Sequence, residues 1–263
     1  DMVVPNMLHA RVIRPPNYHA RLLRLDTSDA EQFGVQLVRN GSFLAVAGSD
    51  EYLTIKAAQR VANTAHWSRD RALAVEDIYQ SLVTNPRLSL PVKNGAAVEE
   101  PISAIGAPPQ GTAFTLNGRF ERPYLMHASI GPSAALAHFD HGYLTIWTHS
   151  QGIYPLRATL AEALNLSLTS VRLIHKPGPG CYGHNGADDA ALDAALIAMA
   201  IPNRPVLLKW TREDEHAWEP YGPCMVVEIR ACLDVNGNVS DWSHETYSDT
   251  HRTRPRPGPN KVG

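Results

Sequence analysis

The sequence predicts an α+β protein, and three observations carry that expectation. β-rich runs flank Asn40-Gly41 and again Asn236-Gly237, a dipeptide suited to the positive φ angles of a tight hairpin turn. The stretch from Gly186 to Ala200, "GADDAALDAALIAMA", is alanine-rich with acids in its first turn, the strongest helix signal in the chain. Between the two hairpins, strand-like and helix-like segments alternate.

In chain order, "GVQLVRNGSFLAVAGS" over residues 34–49 reads as the first hairpin. The next stretch, residues 52–67, repeats apolar residues at Ile55, Ala58, Val61, Ala62 and Ala65, which is helical spacing, with Thr54 as its expected N-cap. A first unit is expected to end near residue 90. Residues 91–117 are rich in proline, glycine and alanine without periodicity and read as an extended connector. Beyond it, "RFERPYLMHASI" and "GYLTIWTHS" read as strands, and "PLRATLAEALN" as a helix with proline in its first turn. "VRLIHK" and "PVLLKW" are further strands, and "TRED" at Thr211 resembles a capping box with aspartate in place of the usual glutamate. Residues 224–248 close the chain as the second hairpin.

Composition narrows the function. With 44% hydrophobic and 19% charged residues in 263, the chain can bury a sizeable core. Lysine plus arginine is 24 against 26 acids, so no basic excess points to nucleic acid. The three cysteines, Cys181, Cys224 and Cys232, form no C-x-x-C pair, and neither a zinc nor an iron-sulfur site is expected from this chain alone. No apolar run is long enough to span a bilayer. The opening "DMVVPNMLHARVIRPP" lacks the pattern of a signal peptide, and both ends read as though the chain were a piece of something larger.

The chemistry concentrates in "GPGCYGHNGADD", residues 178–189, which begins with G-x-G-x-x-G spacing. A dinucleotide-binding turn would present amides to a pyrophosphate at a helix N-terminus. Here Pro179 removes a donor, the helix begins late, and Asp188 and Asp189 would repel phosphate, so NAD or FAD binding is disfavoured. A P-loop is excluded because no Gly-Lys-Ser/Thr follows. Yet Tyr182, His184 and Asn185 make the loop dense in hydrogen-bonding groups, and "THSQG" at residues 148–152 also ends a strand ahead of a helix. Two such strand-end loops can converge on one ligand.

Other residues carry plainer readings. Cys181 is expected to be a small residue filling a tight turn, and His184 either contacts a ligand or satisfies loop backbone. His138 and His141 have loose metal-like spacing without a third ligand and read as a surface turn. His127 is expected on a strand as a hydrogen-bonded core histidine. Glu213, Asp214 and Glu215 read as acids favouring a helix N-terminus.

In their order and spacing, "MLHARVIRPP", "FLAVAGSDEYLTIKAAQRVA", "LTIWTHSQGIYPLRATLAEALNL", "VRLIHKPGPGCYGHNGADDAALDAALIA" and "RPVLLKWTREDEH" resemble the molybdopterin-binding large subunit of the xanthine dehydrogenase and aldehyde oxidase family, especially isoquinoline oxidoreductase and nicotinate dehydrogenase types. The resemblance implies an N-terminally incomplete α/β-hammerhead domain over 1–90, a linker over 91–117 and the first part of a molybdenum cofactor-binding domain over 118–263. Gln151 matches the family glutamine that hydrogen-bonds the oxo ligand of molybdenum. Gly180, Cys181, Tyr182 and Gly183 fall on the family's Gly-Gly-Phe-Gly, with Tyr182 and Gly183 contacting the cofactor through backbone amides. His184 and Asn185 would stand beside substrate or behind the cofactor contacts.

The family holds molybdenum by the cofactor dithiolene, so no protein metal ligand is needed, and its catalytic glutamate base lies downstream, leaving no catalytic residue expected in this chain. Gly186 stands where purine-oxidising relatives have glutamate, and their substrate-binding arginine has no match near 221–224, which disfavours xanthine. The implied cofactor is molybdopterin cytosine dinucleotide. Implied partners are the remaining molybdopterin-binding segment, a small [2Fe-2S] subunit and a cytochrome c subunit, with an aldehyde or N-heterocycle as substrate and water as oxygen source. A bacterial periplasmic, membrane-associated complex is slightly preferred to a cytoplasmic one. The alternatives are a non-catalytic scaffold or assembly fragment and, less favoured, an NAD-binding oxidoreductase.

Overall fold

The computed structural model describes residues 2–69, 77–86, 92–98, 105–250 and 253–258. Its strands are β1 (Leu8–Val12), β2 (Leu22–Arg24), β3 (Gln36–Asn40), β4 (Phe43–Gly48), β5 (His66–Trp67), β6 (Val92–Lys93), β7 (Ala96–Ala97), β8 (Phe114–Arg122), β9 (Ala134–Asp140), β10 (Tyr143–Thr148), β11 (Val171–His175), β12 (Val206–Lys209), β13 (Met225–Leu233) and β14 (Val239–Ser248). The helices are α1 (Ser28–Gln32), α2 (Glu51–Thr64), α3 (Ile78–Thr84), α4 (Ile153–Ala163), α5 (Ala187–Ala200) and α6 (Arg212–Trp218). Helices and largely antiparallel sheets bear out the α+β expectation. Spatially the chain forms two compact units, one of residues 1–74, 126–222 and 252–263 and the other of 75–125 and 223–251.

The larger unit is built on a seven-stranded mixed sheet ordered β11-β10-β9-β12-β1-β4-β3, drawing on chain from both sides of residues 91–117. The predicted hairpin between β3 and β4 is present, but its turn is Gly41-Ser42 and not Asn40-Gly41: Asn40 still pairs with Phe43, and only Gly41 takes a positive φ, of 60°. β9 is a strand that local propensity does not announce. Alanine is a weak strand former, yet Ala135, Leu136 and Ala137 are buried where β9 pairs β10 on one side and β12 on the other. The small side chains have a packing reason. α5 lies on β9, β10 and β12 and buries Ala187, Ala190, Ala191, Ala194, Ala195 and Ala198 completely, so alanine faces alanine and the helix backbone can approach the sheet. Ile197 fills the same interface, worth about 1.5–3 kcal/mol if fully transferred from water.

Two local expectations need correction. The N-cap of α2 is Asp50, whose carboxylate accepts the Leu53 amide, not Thr54. Thr54 lies one turn inside, fully buried, and donates its hydroxyl to the Asp50 carbonyl at 2.6 Å. The second concerns "RFERPYLMHASI": β8 ends at Arg122, and His127 follows in a loop where Ala128 takes a positive φ of 50°. His141, at φ 46°, and Gly142 form the tight turn between β9 and β10, while His138 lies within β9.

The smaller unit is a three-stranded antiparallel sheet, β14-β13-β8, with α3 against β13 and β14. Asp234 collects the amides of Asn236 and Asn238 to close the second predicted hairpin. Val226, Cys224 and Cys232 are buried in this unit.

Candidate functional site

β10 and β11 run parallel and side by side, with Thr148 opposite His175, so the loops that leave their carboxyl ends start from adjacent points. After Thr148 the chain is tightly wound: the Ser150 amide donates to Thr148 Oγ1 at 3.2 Å and the Gly152 amide to Ser150 Oγ at 3.0 Å. Gly152 then caps α4 without a side-chain partner. The winding buries His149 and Ser150 and leaves Gln151 exposed at the mouth of the turn.

The loop after β11 owes its glycines to close packing. A Cβ on Gly178 would fall 2.6 Å from the His149 ring, and one on Gly183, at φ +139°, would fall 2.2 Å from His127 Cδ2. At Gly186 the added atom would meet the Trp210 ring at 2.3 Å. A glutamate there would have to displace that buried tryptophan. Tyr182 holds a positive φ of 46° and, though 62% exposed, lays the phenol end of its ring over Gly180, where an added Cβ would meet it at 3.0 Å. Cys181 is half-buried, its thiol 3.0 Å from the Gly183 carbonyl. Among the described residues, none accepts a hydrogen bond from the main-chain amides of Gly180, Cys181, Tyr182 or Gly183.

Asp188, in the first turn of α5, joins the two loops. It accepts from Ser150 Oγ, from Arg254 Nη1 at 3.2 Å and lies 3.3 Å from His184 Nε2. Burial works to raise its pKa, but the hydrogen bonds from His184 and Ser150 and the Arg254 charge outweigh it and hold the carboxyl below its usual range. Arg254 also donates through Nη2 to Gln151 Oε1. His184 turns its other ring nitrogen to Thr253 Oγ1 at 2.9 Å. Asn185 is buried, with Oδ1 accepting the Ala187 amide at 3.2 Å and Nδ2 donating to the Gly180 carbonyl at 3.3 Å. Its Nδ2 lies 3.1 Å from His149 Nδ1, while His149 Nε2 accepts the Ala134 amide at 3.2 Å. Burial pushes the His149 pKa down, and the Glu215 charge opposes it only in part.

Behind the loops, Asp214 completes the reciprocal capping box with Thr211 that "TRED" predicts. Glu215 lies in the first turn of α6 as its reading has it, but it does more than favour the helix terminus. Fully buried, it accepts the Ser133 amide at 2.6 Å, the Ser133 hydroxyl at 3.0 Å and the Gly186 amide at 3.4 Å. One turn on, Glu219 Oε1 accepts the His127 amide at 2.5 Å. Thus α6 pins the loop before β9 and the start of α5.

The structure therefore brings Gln151, Gly180, Cys181, Tyr182, Gly183, His184 and Asn185 to one end of the sheet, on two adjacent strand-end loops. Four members of the surrounding network have no signature in the sequence: Asp188, Glu215, Glu219 and Arg254. The four-residue spacing of Glu215 and Glu219 puts them on one helix face, but solvated acids share that spacing. Asp189 adds a further, half-buried carboxyl; desolvation first, then Asp193 and Asp188, push its pKa up to about 6.

Residues 109–256 match the molybdopterin cofactor-binding domain family. The chain belongs to that family. Among curated relatives, a nicotinate dehydrogenase subunit of Pseudomonas putida is 34% identical over 257 residues, 94% of this chain and 21% of its own length. The aldehyde oxidoreductase molybdenum-binding subunit PaoC of Escherichia coli K12 is 26% identical, over 93% of this chain and 36% of its own. The chain thus spans between about a fifth and just over a third of the length of these relatives. In fold it is similar to quinoline 2-oxidoreductase from Pseudomonas putida 86, with a TM-score of 0.69 at 16% identity over 94% of this chain and 36% of that one. Cu,Mo-CO dehydrogenase gives 0.63 at 14% identity, over 93% and 37% of the two chains.

Proposed function

We propose that this chain supplies one wall of the cofactor site of a molybdenum hydroxylase that oxidises an aldehyde to a carboxylic acid or hydroxylates an N-heteroaromatic ring. The observation that carries this reading is the run of amides from Gly180 to Gly183 without acceptors among the described residues, beside the exposed carboxamide of Gln151, at the carboxyl ends of two adjacent parallel strands. A pterin with its dithiolene and oxo groups is rich in acceptors, and these residues are donors, so the residues present fit the group. The family membership supports the same reading.

When bound, the molybdenum cofactor would supply the oxidising centre for a two-electron hydroxylation with water as oxygen source. The protein's part is binding and orientation. Gln151 would offer its Nε2 to the metal centre as a donor, and the amides of Tyr182 and Gly183 would hold the cofactor. Cys181, between Gly180 and Tyr182, keeps the turn compact by facing its thiol to the Gly183 carbonyl. His184 and Asn185 act from behind, tying the loop to Asp188, Thr253 and His149. The Tyr182 ring, laid over Gly180 and exposed on its other face, would offer an aromatic surface to a planar substrate. The base that removes a proton is assigned to a downstream glutamate outside this chain.

Residues 1–90 correspond in this reading to the α/β-hammerhead domain and 118–263 to the first part of the cofactor domain. The cofactor is the cytosine dinucleotide form, and electrons leave through a [2Fe-2S] subunit and a cytochrome c. In the purified complex, Gln151→Ala should slow turnover at full molybdenum content; unchanged turnover in the loaded variant would remove Gln151 from its assigned role.

A further inference from the structure

Glutamine side chains have two chemically opposite ends, and which end faces a ligand is decided by the partner that fixes the other. At Gln151 that partner is the Arg254 guanidinium, which can only donate. The carboxamide oxygen is therefore the end turned to Arg254, and Nε2 is the end left for another group. Arg254 is itself held. Its Nη1 lies 3.2 Å from the buried Asp188 carboxylate, so one planar guanidinium spans the acid at the start of α5 and the amide at the start of α4. The neighbouring Thr253 sits on His184 at 2.9 Å, and the Gly258 amide donates to Glu162 Oε2 at 2.8 Å on α4, which fixes the same segment at two further points.

We infer that Arg254 is a positioning residue of the cofactor site: bridged from Asp188, it sets the orientation of the Gln151 carboxamide so that Nε2 is presented as a donor. This rests on the proposed role of Gln151. A lysine at this position can donate to Oε1 but cannot span both partners with a rigid fork, whereas alanine leaves the carboxamide free to rotate and to offer its oxygen instead. Ser150 and His184 still hold Asp188 in R254A, so the local fold persists.

The test compares R254A, R254K, Q151A and the double variant in the assembled, molybdenum-loaded enzyme, reading kcat, KM and the molybdenum X-ray absorption spectrum, with molybdenum content measured after gel filtration. R254A should lower kcat by about tenfold, the scale of one charge-assisted hydrogen bond, with KM little changed and the absorption edge shifted toward that of Q151A. R254K should recover most of kcat, and the double variant should match Q151A alone. If Q151A is impaired while R254A keeps the wild-type kcat and spectrum, or if the two losses multiply in the double variant, the inference about Arg254 is overturned and the role of Gln151 stands. If Q151A is silent in a loaded enzyme, the reading of Gln151 falls and the positioning role falls with it.

Discussion

Replacing Glu215 by alanine should loosen both the loop before β9 and the start of α5. Its carboxylate is fully buried and accepts from three donors, two of them on Ser133 at 2.6 and 3.0 Å and the third, the Gly186 amide, at 3.4 Å. A buried donor stripped of its acceptor costs about 1–3 kcal/mol. The Ser133 hydroxyl can rotate and the Gly186 bond is long, so the Ser133 amide carries the largest share; removal of the buried carboxylate's own desolvation offsets part of the loss. The net expectation is a destabilisation of about 3 kcal/mol. For a unit of this size that lowers the melting temperature by about 6–12 °C. Glu215→Gln retains one acceptor oxygen and should lose about half as much. Scanning fluorimetry on the assembled protein measures both, and amide exchange over residues 180–186 should quicken in the alanine variant. A loss below about 1 kcal/mol, with exchange unchanged, would refute the idea that α6 braces the loop.

Glu51 accepts from Arg11 at 2.8 Å and Lys209 at 3.0 Å, and the Arg11 hydrogen bond, outweighing burial, holds its pKa at about 2. Its stabilisation is present above the ordinary carboxylate pKa and lost as pH falls through about 2; allowing for solvent screening, Glu51→Gln should cost about 1–2 kcal/mol at pH 7 and progressively less as pH falls from 4 toward 2, measured by thermal unfolding. Asp189 has the opposite sign. With its pKa raised to about 6, its contribution is full below pH 4 and lost as pH rises through 6, so Asp189→Asn should stabilise by about 2–3 kcal/mol at pH 8 and leave stability at pH 4 unchanged. Gly183→Ala introduces a Cβ 2.2 Å from His127 Cδ2 at φ +139° and should reduce both melting temperature and bound molybdenum; retention of both would contradict the packing account of this glycine.

The regular elements are legible where local chemistry decides them. The hairpin turns at Gly41 and Gly237, the α5 alanine run and the Thr211 capping box depend on residues within a few positions of each other. β9 is not legible in that way, because its alanines suit a strand only where α5 lies above them. Thr54 illustrates a near miss: the helix begins earlier because Asp50 satisfies the Leu53 amide. At the site, glycine density and the strand-end glutamine point to the right two loops. Asp188 reads locally as no more than a charge that repels phosphate, since its partners Ser150 and Arg254 lie 38 and 66 positions away. Glu215 is opaque for a similar reason: a buried acid and a solvated one look alike until the donors that surround it are known.

If the amides of Gly180 to Gly183 face the molybdenum cofactor, hydrogen exchange at those amides tests the cofactor site most directly. Exchange is compared between the assembled complex loaded with molybdenum cofactor and the same complex isolated without it. Strong protection of residues 180–183 on loading, with β3 and β4 unchanged, is the predicted result. Equal exchange in the two forms, at one molybdenum per complex, would contradict it.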